Sequence, residues 1–158
     1  MLKLKDLREF LVKAKKSTYA AGDDAKKTTE PDKSTTLIFE DGDWKYHDNY
    51  FGGEPYGGRE VVFFQNLPVY IMAYYGYVAE GFADLNAVYK TLQNALSLIP
   101  EEKPFRGPKK YTQEDYTYTN NFTGDIDNFY GEEIITHKNK EIYKAKYIGG
   151  LIDKRKEI

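Results

Sequence analysis

Two segments of this chain constrain its fold more than anything else in it. "EVVFFQNLPVYIMAYYG" at 60–76 and "EIITHKNKEIYKAKYIG" at 133–149 align position for position. Glu60 matches Glu133, Tyr70 matches Tyr143, Tyr74 matches Tyr147 and Gly76 matches Gly149, each pair 73 positions apart. Upstream, "DWKYHDNYFG" at 43–52 matches "DYTYTNNFTG" at 115–124 with an offset of 72. Alternating apolar and polar residues around a short turn are the signature of a β-hairpin, and recurrence at a fixed spacing is the signature of a repeated structural unit. Each unit opens with a helical pattern. Leu4, Leu7, Phe10, Leu11 and Ala14 lie on one face of a helix over 2–16, and Leu85, Val88, Leu92, Ala95, Leu96 and Ile99 on one face of a second, with Asp84 placed as its N-cap and Pro100 beyond its end. The expected fold is α+β, an internally duplicated α-βββ-α-βββ chain forming one antiparallel, curved sheet with both helices packed on one face. The chain reads as a single domain over 1–158, with repeats over about 1–81 and 82–152 and a flexible loop over about 22–36, where no apolar residue exceeds alanine.

The two hairpins differ in polarity. In a regular register the second puts Ile134, Thr136, Tyr143, Ala145 and Tyr147 on the core face, and Glu133, Ile135, His137, Ile142, Lys144, Lys146 and Ile148 on a mostly wet one. The same register in the first gives a core face of Val61, Phe63, Tyr70, Met72 and Tyr74. Its opposite face, Glu60, Val62, Phe64, Val69, Ile71, Ala73 and Tyr75, is then apolar where the second hairpin has lysines. Water is a poor neighbour for so many large apolar groups, each costing roughly 1.5 kcal/mol or more when left exposed. Curling of the sheet, a second subunit and a ligand are the three covers this register allows.

Composition excludes several function classes. With 23 basic and 25 acidic side chains and a net charge of −2, the chain has no basic field with which to hold a phosphate backbone, so nucleic acid is not an expected partner. The absence of cysteine removes disulfides, thiolate catalysis and Cys-ligated zinc. No long apolar run indicates a membrane span or signal peptide, and a cytoplasmic protein is expected. His47 shares strand parity with Asp43, Lys45 and Asn49, His137 adjoins a hairpin turn, and both read as surface residues without metal-ligand spacing. "YFGGEPYGGRE" joins two strands rather than a strand and a helix, so it reads as a broad turn, not a phosphate cradle. No cofactor is expected.

What remains is a tyrosine-rich chain, 15 Tyr against one Trp, with a few carboxylates and one arginine well placed for recognition. Glu60 begins the apolar face. There it can act as an acid or base, or as the counter-charge of an organic cation stacked on tyrosines; the plainer role is to bind backbone N–H groups or a lysine where the strand begins. Arg106, fixed between prolines in "PFRGP", can meet a ligand carboxylate or pair with Glu60 or Glu54. Trp44, Tyr46, Glu54, Glu60, Tyr74 and Arg106 are therefore the candidate ligand-binding residues.

"FLVKAKKSTYA", "YFGGE", "MAYYG", "PFRGP" and the closing "YIGG" together resemble an uncharacterised bacterial domain family often fused behind an XRE-type helix-turn-helix, over about Leu7–Ile152. The resemblance implies a regulatory, ligand-sensing role. Because Met1 leads directly into the first helix, a stand-alone copy without a DNA-binding module is expected. The reading is a non-enzymatic small-molecule sensor. An enzyme with Glu60 shuttling a proton and a homodimerising module using the apolar face of the first hairpin are the alternatives.

Overall fold

A computed structural model describes residues 2–154. The element order is α1 (Leu4–Ser17), β1 (Thr28–Thr29), β2 (Thr35–Asp41), β3 (Trp44–Gly52), β4 (Tyr56–Phe64), β5 (Leu67–Val78), α2 (Leu85–Leu96), β6 (Lys110–Gln113), β7 (Tyr116–Asp125), β8 (Asn128–His137) and β9 (Lys140–Leu151). The fold is α+β: one open antiparallel sheet of nine strands in the order β1-β2-β3-β4-β5-β9-β8-β7-β6. Each helix is followed by a four-stranded meander, β2–β5 after α1 and β6–β9 after α2, one strand more than the sequence pattern suggests. The segment 22–36 carries part of a 3-10 turn, then β1, which pairs with Thr35 and Thr36 of β2. Asp84 caps α2 as expected, its side chain accepting from the Ala87 N–H.

The meanders meet edge to edge at β5 and β9. Tyr74 lies opposite Tyr147, and the seam is symmetric about this pair, Tyr70–Leu151 on one side mirroring Val78–Tyr143 on the other at the same 73-residue spacing. Both hairpins turn on two residues with positive φ, Gln65–Asn66 and Lys138–Asn139, the two-residue geometry that matches strand twist.

Immediately after each turn the ladder carries an irregularity that the sequence reading lacks. Phe63 pairs with Pro68 but Val62 pairs with Tyr70, leaving Val69 as an extra residue. In the second hairpin Thr136 pairs with Glu141 and Ile135 with Tyr143, leaving Ile142. A bulge adds one residue to one strand and shifts every later pairing by one, which exchanges the faces. The face assignments for β4 and β8 are therefore corrected. Glu60 and Val62 stand with Tyr70, Met72 and Tyr74 under the helices, and Glu133 and Ile135 with Tyr143, Ala145 and Tyr147. The bulge also lets neighbouring residues both reach the core: Ile142 and Tyr143 are both buried, and Val69 packs beside the buried Tyr70. Val62 and Phe64 thus move to the helix side, while Val61 and Phe63 take their places on the outer face beside Ile71, Ala73 and Tyr75. Tyr75 remains exposed on the outer face, with Tyr77, Tyr130 and Ile148 near it.

The core has two parts on this one face. Leu7, Phe10, Leu11 and Ala14 of α1 pack on Tyr46, Val62, Tyr70 and Met72; Val88, Leu92, Ala95 and Leu96 of α2 pack on Tyr116, Tyr118, Ile135 and Tyr143. The segment between α2 and β6 folds inward between them, burying Phe105 in a stack on Phe129 with ring centroids 3.8 Å apart.

Candidate functional site

Strand alternation places Trp44, Tyr46, Asp48 and Tyr50 of β3 on the helix-facing side, and the ladder sets Asp48 directly opposite Glu60 of β4. Both carboxylates are almost fully buried, 3 % and 4 % exposed. They line a cavity of about 220 Å³ roofed by the end of α1, the 3-10 turn at Tyr19–Asp24, α2 and the inward-folded segment. Tyr19, Tyr50, Tyr56 and Tyr89 supply aromatic wall, and Lys15 and Arg106 the buried positive charge.

Lys15 sits one turn beyond Leu11 on the apolar stripe of α1, which carries its ammonium into the interior. Its Nζ donates to the Phe105 carbonyl at 2.5 Å and lies 2.9 Å from Glu60 Oε2. The Glu60 contact is a close buried ion pair, and the Tyr46 hydroxyl also bonds to Glu60. Burial lowers the Lys15 pKa and the Glu60 charge opposes the shift. Asp48 Oδ1 accepts from the Tyr74 hydroxyl at 2.5 Å. Burial first, and the facing Glu60 second, push the Asp48 carboxyl up to about 7, against the pull of the Tyr74 hydrogen bond and of Arg106 and Lys15. Tyr46 and Tyr74 are held protonated by burial and by the same two carboxylates.

The equivalent positions of the other half form a second polar cluster. Asn120 stands opposite Glu133, as Asp48 stands opposite Glu60. Tyr147 donates to Asn120 Oδ1 at 2.6 Å, as Tyr74 does to Asp48. Tyr118, matching Tyr46, donates to Glu133 Oε2 at 2.5 Å, and Arg106 Nε donates to Glu133 Oε1 at 2.7 Å. The Asn120 amide donates to the Gly107 carbonyl at 3.0 Å, and the Gly107 N–H donates to the Tyr118 hydroxyl at 3.0 Å. Gly107 must be glycine here, because a Cβ would fall 2.8 Å from that hydroxyl. Every member of this cluster has partners; the segment 105–107 plugs it.

Four of the six residues expected from sequence meet at the cavity: Tyr46, Glu60, Tyr74 and Arg106. Arg106 pairs with Glu133, not with Glu60 or Glu54, and its guanidinium also lies 5.5 Å from the Tyr74 ring centroid. Trp44 is elsewhere, packed between Phe10 and Phe64 beneath α1. Glu54 organises the rim: one oxygen accepts from the Val78 N–H at 2.7 Å, the other from the Tyr89 hydroxyl. Glu60 meets a lysine, but one from α1 rather than a neighbour on its own strand. His137 stacks on Tyr116, ring centroids 4.5 Å apart, and His47 is partly buried on the outer face beside Arg59 and Lys45. Sequence reasoning missed Asp48, whose parity with Tyr46 and Tyr50 was the available signal, and Lys15, a cation on an apolar stripe.

Residues 48–152 match a family described as a domain of unknown function, DUF5680. The chain belongs to the DUF5680 family. The matched stretch begins at Asp48 and includes Glu60, Tyr74, Arg106, Asn120, Glu133 and Tyr147, so all of both clusters but Lys15, Tyr46 and the roof of α1 lies within the DUF5680 domain. No curated protein and no solved structure gives a significant match to the chain. Among the described residues no helix is long and apolar enough to cross a membrane, and no His, Asp and Glu side chains converge as a metal site.

Proposed function

We propose that this DUF5680 chain is a non-enzymatic small-molecule-binding module of the sensor type, built by internal duplication and working in the cytoplasm alongside a regulator. The observation that supports the binding reading is the Asp48–Glu60 pair. Two facing carboxylates, both buried, line an aromatic cavity, with the single ammonium of Lys15 against one of them. A concave, largely aromatic pocket with a few convergent polar groups is the usual form of a small-molecule site. The matching bulges, turns and β5–β9 register support duplication, and the contrast of a plugged with an open cluster supports divergence of one copy toward binding.

A ligand-observed NMR screen of ring-sized fragments tests the reading. Gly53 lines the cavity mouth, and a Cβ there meets nothing within 4 Å, so Gly53→Phe adds bulk over the opening without a clash at its base. Hits on the wild-type chain that vanish in Gly53→Phe support the proposal. A wild-type chain that binds no fragment overturns it.

One observation favours a second reading. A carboxyl titrating near 7 suits general acid–base chemistry, which moves the proton-transfer role from Glu60 to Asp48. Conversion of a bound fragment, followed by mass spectrometry and abolished in Asp48→Asn, would replace the sensor with an enzyme.

A further inference from the structure

The plugged cluster shows how this scaffold satisfies itself without a ligand, and the open cluster departs from it by one charge. In the plugged half the buried acid Glu133 is balanced by Arg106, and the opposite position carries a neutral amide whose oxygen and nitrogen are both engaged, by Tyr147 and Gly107. In the open half Glu60 is balanced by Lys15, but the opposite position carries a second acid. Three buried carboxylates, Asp48, Glu60 and Glu133, thus face two buried cations, Lys15 and Arg106. Lys15 divides its protons between Glu60 and the Phe105 carbonyl, and Arg106 is committed to Glu133. The groups facing Asp48 are Glu60 of β4, Tyr74 of β5, Lys15 of α1 and Arg106 of the inward segment. Lys27 lies at the rim and is exposed, where solvent screens it.

An unbalanced buried acid is expensive, and a scaffold that has the neutral alternative available in its own second half has no structural need of one. The aromatic wall adds faces that attract positive charge. Deepening the binding reading above, and resting on it, we propose that the ligand is a small organic cation, an amine or amidine, whose charge lies between Asp48 and Glu60 and takes the place of the missing positive partner.

Such a ligand competes with the proton that Asp48 holds near neutral pH. Binding then strengthens as pH rises, by about tenfold from pH 6 to pH 8 for a carboxyl titrating near 7, with release of a proton. The experiment is calorimetric and NMR titration of the full chain with benzylamine and benzamidine as cations, benzyl alcohol as the neutral match and benzoate as the anion, at pH 6 and pH 8. The expected result is binding of the cations alone, tighter at pH 8, and a loss of at least tenfold together with the pH dependence in Asp48→Asn. Binding of the alcohol or benzoate as tightly as the cations overturns the cation assignment and leaves the cavity a ligand site. Cation binding that is unchanged in Asp48→Asn, or independent of pH in the wild-type chain, also overturns it. Failure of all four probes overturns it too; the fragment screen then decides separately whether the cavity binds anything.

Discussion

The two polar clusters of this sheet occupy matched positions and solve the same problem differently. Around Glu133 a guanidinium, a phenol, an amide and the backbone of Gly107 close a network in which every group is paired. Around Glu60 an ammonium replaces the guanidinium, a carboxylate replaces the amide, and a cavity replaces the plug. Arginine's planar fork with a tyrosine beside it saturates a carboxylate, whereas lysine is a point charge that here is shared between Glu60 and the Phe105 carbonyl. A scaffold of one shape therefore yields a closed knot or an open cavity according to whether its polar groups are completed internally.

The contrast can be broken most forcefully at the glutamates. Glu133→Gln strands Arg106 among buried groups and is expected to cost about 3–5 kcal/mol in urea unfolding at pH 7.5. Glu60→Gln also relieves repulsion on Asp48 and should cost less than half as much. Equal costs would erase the distinction between knot and site.

Exchanging the opposite positions sharpens it. An unfolded aspartate loses its proton near pH 4 and Asp48 near 7, so between these values the unfolded chain binds fewer protons and stability falls as pH rises, levelling above about 7. Asp48→Asn should remove that fall and add about 2–4 kcal/mol at pH 8, with no gain at pH 4. Asn120→Asp should do the reverse, destabilising by about 1–3 kcal/mol, because an oxygen would then face the Gly107 carbonyl and Glu133. Urea melts across pH 4–8 check both; a stabilising Asn120→Asp would show that the plug is not what makes that position neutral.

The smallest effect belongs to the outer face. Tyr75 is 56 % exposed, and Tyr75→Lys should change stability by less than about 0.5 kcal/mol and leave the mass by light scattering unaltered. A variant that dissociates a dimer would show that this face, not the cavity, distinguishes the first half.

Much of the fold and part of the site was legible. Spacing of Leu7, Leu11 and Ala14, of Val88, Leu92 and Ala95, and the alternation in "DWKYHDNYF" determined both helices, the hairpins, the α+β class and the shared face of Tyr46 and Tyr50, because periodicity is a property of the local backbone. Even Asp48 was implied, since it shares the parity of Tyr46 and Tyr50. The tertiary structure alone decided the rest. The extra residues Val69 and Ile142 carry no mark in sequence, yet each exchanges the faces of the strand before its turn and so carries Glu60 or Glu133 under the helices. Which cation meets which glutamate depended on a helix and a connector arriving from distant sequence, Lys15 to Glu60 and Arg106 to Glu133, and long-range pairing of that kind is set by packing rather than by any local pattern.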